Sequence, residues 1–148
     1  MADPRGKTRS SMAPSPGILK RLTGQKLQLL VENGDRLLFA SDRPAFRALW
    51  TVAFERPQLL DGADVALPAV GLAAAYLLIY GKVGRVFTHA MTREARAALR
   101  ELGIEHSAKS LCRKLPPDLV ESAEGYEALA REAVTPLAFV EQLRRRAP

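Results

Sequence analysis

A chain of 148 residues, 47% hydrophobic and 26% charged, has the size and make-up of one ordinary globular domain with a proper core. Its single cysteine excludes an intramolecular disulfide and a paired-cysteine metal clamp, so a reducing, cytoplasmic compartment is expected. The net charge of +6 is uneven: residues 1–26 hold six Lys or Arg against one Asp, and the rest is close to neutral.

Residues 1–17 (MADPRGKTRSSMAPSPG) are rich in Pro, Ser and basic side chains and have no hydrophobic period. Such a segment cannot bury enough surface to offset its ordering entropy, so a disordered basic tail is expected, with residues 18–148 as a single domain. Arg5, Lys7 and Arg9, with Lys20 and Arg21 soon after, are candidate contacts for nucleic acid or another anion. No apolar core follows these charges, which argues against a secretory leader. Ile18 to Leu22 suggests a short helical turn.

Lys26 to Glu32 reads as a strand, and Asn33-Gly34 leads into a second run from Arg36 to Ala40. Asn-Gly between apolar runs signals a hairpin, because both central residues of a type I′ turn need positive φ. Asp42 is the expected cap of a helix with Pro44 in its first turn, and Phe46, Leu49, Trp50, Ala53 and Phe54 fall on one face of it. A third strand is expected from Asp61 to Ala66. The helix after it, from about Pro68, is apolar nearly all round and so must be buried on more than one side. The longest uncharged run, Val65 to Gly81, has 17 residues and contains Pro68 and Gly71. A bilayer span needs about 20 unbroken apolar residues, so no membrane is expected as a partner.

Gly81-Lys82-Val83-Gly84 leaves a helix and enters a strand, the reverse of a phosphate loop. Arg85 to Ala90 is the expected fourth strand. Thr92 caps the next helix, with Ala95, Ala98, Leu99 and Leu102 facing inward and Gly103 as its stop. Ile104 to Ser107 is the fifth strand. Beyond it, Asp118 and Glu121 suggest a capped helix to about Glu132, interrupted by Gly125. Thr135-Pro136 opens a last helix ending in Arg144, Arg145 and Arg146, where positive charge suits the helix dipole. This order predicts a mixed five-stranded α/β sheet, an antiparallel hairpin followed by parallel strands, with helices on both faces.

Residues from about Leu22 to Glu105 resemble a small prokaryotic family of unknown function within the cytidine-deaminase-like superfamily. The segments that carry the resemblance are Val70-Gly71-Leu72-Ala73-Ala74-Ala75, Gly81-Lys82-Val83-Gly84-Arg85-Val86 and Glu101-Leu102-Gly103-Ile104. The resemblance implies a three-layer deaminase-like fold. Two features depart from the family pattern. Its acidic-basic pair and helix lysine stand here as Leu67-Pro68 and Leu72, and its C-terminal Cys-Pro-Met-Glu is replaced by Cys112-Arg113-Lys114-Leu115-Pro116.

A zinc deaminase takes a His or Cys and a Glu from one helix start and two Cys from the next. The matching starts here read Arg43-Pro44-Ala45-Phe46 and Pro68-Ala69-Val70-Gly71-Leu72. No metal, no cofactor and no catalytic residue is therefore expected. In parallel sheets ligands gather where strands end and helices begin, which makes Asp64, Pro68, Gly71, Thr88, His89 and His106 candidate contacts for a small nucleotide-like ligand.

Three readings follow. The first is a noncatalytic deaminase-like binding or interaction domain. The second is a nucleic-acid-associated protein that uses its basic tail. The third is a non-metal enzyme using His89, His106 or Cys112, although Cys112 and His106 lack a third orienting group. Apolar positions in the last two helices, Leu129, Val134, Leu137, Phe139, Val140 and Leu143, are available for a homo-oligomer.

Overall fold

The Asn-Gly signal turns the chain one residue later than expected. Strands β1 (Leu29–Asn33) and β2 (Arg36–Ser41) pair antiparallel with Asn33 opposite Arg36, so the loop is Gly34-Asp35. Only Gly34 there has positive φ, at 65°, so the turn is not type I′. A register shift between Val31 and Glu32 absorbs the slip. The computed structural model describes residues 17–115 and 124–146. The expected tail, apart from Gly17, and the Asp118–Glu121 cap lie outside the described residues.

The five strands follow the order β2-β1-β3-β4-β5. β1 runs antiparallel to β3 (Asp64–Val70), while β3, β4 (Arg85–Thr92) and β5 (Glu105–Cys112) are parallel. This is the mixed α/β sheet that the element order predicts.

β3 runs through Pro68, where a helix start was expected. A proline is tolerated in a strand where no ladder bond needs its missing N–H. Pairing with β1 stops at Ala66, and the register with β4 passes from Leu67–Thr88 to Ala69–Ala90, leaving Pro68 without a paired residue on either side. Leu67, preceding a proline, is biased toward extended backbone as well.

One face of the sheet carries five helices: α2 (Ala45–Glu55), α3 (Leu72–Tyr80), α4 (Arg93–Glu101), α5 (Glu124–Ala133) and α6 (Pro136–Arg144). Among the described residues the other face carries one helix, α1 (Ile18–Gly24), whose Ile18 and Leu22 pack on Leu30, Ala66 and Phe87. Arg21 of α1 forms an ion pair with the buried Glu32. α3 is the centre of the larger layer. Every residue from Leu72 to Leu78 is buried, and Phe139, Val140 and Leu143 of α6 join Trp50 and Leu49 of α2 in the same core. Burying each of these large apolar side chains stabilises the fold by about 2 kcal/mol.

Capping follows the sequence at two helices and departs from it at a third. Thr92 Oγ1 accepts from Ala95 N at 3.1 Å, and Thr135 Oγ1 accepts from Ala138 N at 3.2 Å. Asp42 does not cap α2: Pro44 occupies that position without a side-chain bond, and Ser41 Oγ accepts from Arg43 N instead. Thr92→Ala and Thr135→Ala should each lower the unfolding free energy by about 1 kcal/mol in urea titrations, whereas Asp42→Ala should change it by less than about 0.5 kcal/mol.

Leu102, expected inward, is 52% exposed, because it lies past the last turn of α4, and Leu99 takes the inward place. Val134 and Leu137 are exposed, while Leu129 is half-buried and Phe139, Val140 and Leu143 are buried. Among the described residues no helix is long and apolar enough to cross a membrane.

Candidate functional site

α3 opens without a capping side chain of its own. Gly71 is its N-cap in extended conformation, no acidic residue stands in its first turn, and its first free N–H groups therefore need an acceptor from elsewhere. Glu127 of α5 supplies it: Leu72 N donates to Oε2 at 3.0 Å and Ala73 N to Oε1 at 2.7 Å. Burial raises the Glu127 carboxyl above its ordinary range, against the two backbone bonds and Arg131, which pull it down. A carboxylate on two helix-start amides is the arrangement by which such helices bind anions, here satisfied within the chain. Gly71 makes room for it. A Cβ there would lie 2.6 Å from Glu127 Oε1.

The neighbouring residue ties α5 to α2. Tyr126 stacks on Phe46 at 5.1 Å between ring centroids and meets Trp50 edge-on at 5.4 Å. Trp50 Nε1 is buried without a hydrogen-bond partner among the described residues. Tyr126 and Glu127 thus bridge the first turns of α2 and α3. Arg131, one turn further along α5, forms a bidentate pair with Glu94 of α4 at 2.8 and 2.9 Å.

The residues singled out from the sequence are not brought together. Gly71 and Pro68 are at the carboxyl end of β3, but Asp64 opens that strand and His106 lies at the start of β5, so both sit at the opposite, amino end of the sheet. Asp64 is held by Arg85 through two bonds of 2.8 and 2.7 Å, and this contact, first among several, raises the Arg85 pKa. Arg85 also covers the Phe87 ring at 5.5 Å. Thr88 is fully buried and donates to Ala90 O at 3.2 Å. His89 Nε2 lies 2.9 Å from Thr23 Oγ1 of α1. Of the basic candidates, Arg21 is engaged by Glu32 and Lys20 is exposed on α1, while Arg5, Lys7 and Arg9 lie outside the described residues.

His106 lines an open cleft of about 460 Å³ with Arg85, Arg100 and Ser107. Its Nδ1 is 2.9 Å from Ile104 O; a carbonyl only accepts, so Nδ1 carries the proton and Nε2 is left for the cleft. Cys112 ends the same strand, about 20 Å away at the usual rise per residue, and its thiol donates to Met91 O at 3.6 Å. The two cannot form a nucleophile and base. Among the described residues no group of three or more His, Cys, Asp or Glu is placed to hold a metal ion.

Glu127 and Tyr126 were not among the residues picked from the sequence. Their signal was indirect: a buried helix with no Ser, Thr, Asp or Asn at its start requires a remote acceptor, and an acidic residue on a later helix is the natural supplier.

No family model matches the chain, and no curated protein matches it. Among solved structures it is similar to the crystal structure of a DUF1893 family protein from Thermotoga maritima, with a TM-score of 0.79 and 20% identity, covering 99% of this chain and 97% of that one. The chain therefore shares its α/β fold with a protein whose family name assigns no activity.

Proposed function

We propose that residues 18–148 form a noncatalytic, deaminase-like interaction domain of the cytoplasm, preceded by a basic tail, whose position for chemistry is filled by its own α5 helix. The observation that carries this reading is the Glu127 carboxylate on Leu72 N and Ala73 N. In a zinc deaminase the starts of these two helices hold the metal and the proton-shuttling Glu. Here Ala45 and Phe46 stand at one, Gly71 and Leu72 at the other, and Tyr126 with Glu127 spans the gap between them. The same closure removes the amides a nucleotide-like ligand would use, which favours an interaction role over small-molecule binding.

The test combines elemental analysis of the purified protein with assays of cytidine and adenosine deamination. Substoichiometric zinc and no product are expected. One zinc per chain together with turnover would overturn the reading.

A further inference from the structure

α4 separates its charges by side. Glu94 reaches across to Arg131 of α5, so that flank faces the neighbouring helices. Arg93, Arg96 and Arg100, at i, i+3 and i+7, share the opposite flank, and none of them makes an ion pair among the described residues. At its C-terminal end that flank meets β5, where Arg100 lines the cleft formed with Glu105, His106 and Ser107 at the start of that strand.

β5 is the last strand of the sheet. It pairs with β4 on one side and with no described strand on the other, which leaves backbone donors and acceptors over eight residues. We propose that this edge, under the arginine flank of α4, takes up an extended acidic segment of a partner protein as an added strand. The proposal rests on the interaction-domain reading above and names the class of partner.

The dimensions agree. Side chains on one face of a strand repeat every ~6.7 Å, and Arg96 and Arg100 are separated by ~6 Å along the helix axis, so acidic residues at alternate positions of an added strand meet successive arginines. The backbone would supply affinity and the arginines selectivity. Glu105, at the start of the edge, is offset by Arg85 beside it, which leaves Arg100 and Arg96 to meet the acidic contacts. A second copy of this chain fits less well. Antiparallel pairing of two β5 edges would bring together two copies of the exposed Lys109 and of the arginine flank. A single-stranded nucleic acid fits less well too, because the exposed large apolar side chains of the described residues are all aliphatic and Phe87 of the cleft is buried, which leaves His106 as a lone ring rather than a platform for successive bases.

The experiment measures fluorescence anisotropy of the full chain with a labelled octapeptide alternating Val and Glu. Parallel titrations use the same peptide with its two central residues changed to Pro, and a labelled oligodeoxythymidine. Saturable binding of the alternating peptide is expected. Arg96→Glu/Arg100→Glu should weaken it by about tenfold or more, and the proline peptide should bind at least about tenfold more weakly than its parent. The substituted positions are on the surface, and an unchanged thermal melt verifies that the variant is folded. Equal binding of the proline peptide, binding indifferent to the arginine substitutions, or tighter arginine-dependent binding of the DNA would overturn the proposal, as would no binding at all. None of these readings depends on zinc or turnover, so this proposal and the noncatalytic reading can fail separately.

Discussion

Glu127→Ala should lower the unfolding free energy by about 2 kcal/mol, and Gly71→Ala should cost nearly as much, although the two residues belong to different helices. The first substitution strips an acceptor from two amides at the start of α3, each bond to a charged group being worth about 1.5 to 3 kcal/mol, with part of the loss offset because the carboxylate is no longer buried. The second adds a methyl group 2.6 Å from Glu127 Oε1, and the carboxylate, being the flexible end of a side chain, yields by leaving the amides. Both changes break the same contact. In a double-mutant cycle by urea denaturation the pair should therefore cost little more than either alone, a coupling of about 1.5 kcal/mol or more. Additive losses would show that Gly71 is not there for Glu127.

The carboxyl itself gives this contact a pH signature. Burial raises its folded pKa, so as pH rises through the ordinary value of 4.5 the unfolded chain ionises first and the native chain holds more protons. The contribution of Glu127 to stability consequently falls between 4.5 and its raised folded value, and levels off above it. Glu127→Gln should remove that slope from the stability profile.

Asp64→Ala should cost about 3 kcal/mol, more than either of the preceding substitutions. Asp64 is 8% exposed and accepts from Arg85 Nε and Nη2, at the point where β3 and β4 begin side by side. Removing one partner of a largely buried pair leaves the other partly desolvated and short of its main counter-charge. Part of the arginine reaches solvent, which limits the loss to the lower end of the range for such pairs. Replacing both residues by apolar ones of similar size, Asp64→Leu with Arg85→Met, should recover most of the stability. A double variant as unstable as Asp64→Ala would show that the pair fixes strand alignment beyond its own bonds.

Much of the fold could be read from local pattern. Thr92 and Thr135 announce their helices because a hydroxyl three residues before an amide is a signal contained in four residues. Parallel strands followed from apolar runs alternating with helical periods. Errors arose where a neighbouring strand decides. Pro68 reads as a helix opener in isolation and becomes a strand residue only because the ladders on both sides leave it unpaired. The hairpin loop slid from Asn33-Gly34 to Gly34-Asp35 because the register was set by strands rather than by the turn. Leu102 follows the helical period but lies beyond the last turn that could bury it.

The candidate site was less legible still. Strand-end logic gathered Asp64, Gly71 and His106, yet the observed strand boundaries put them at opposite ends of the sheet. The contact that closes the α3 start joins residues 55 positions apart, and nothing in the spacing marks which of the later acids makes it.

That separation also orders the events of synthesis. All five strands are translated before Glu127, so a chain that has not yet reached it has two amide donors at the start of its central helix that Glu127 cannot answer. The clasp closes only when the final stretch emerges, and a truncated product ending before α5 keeps its central helix open at precisely the end that the complete chain seals.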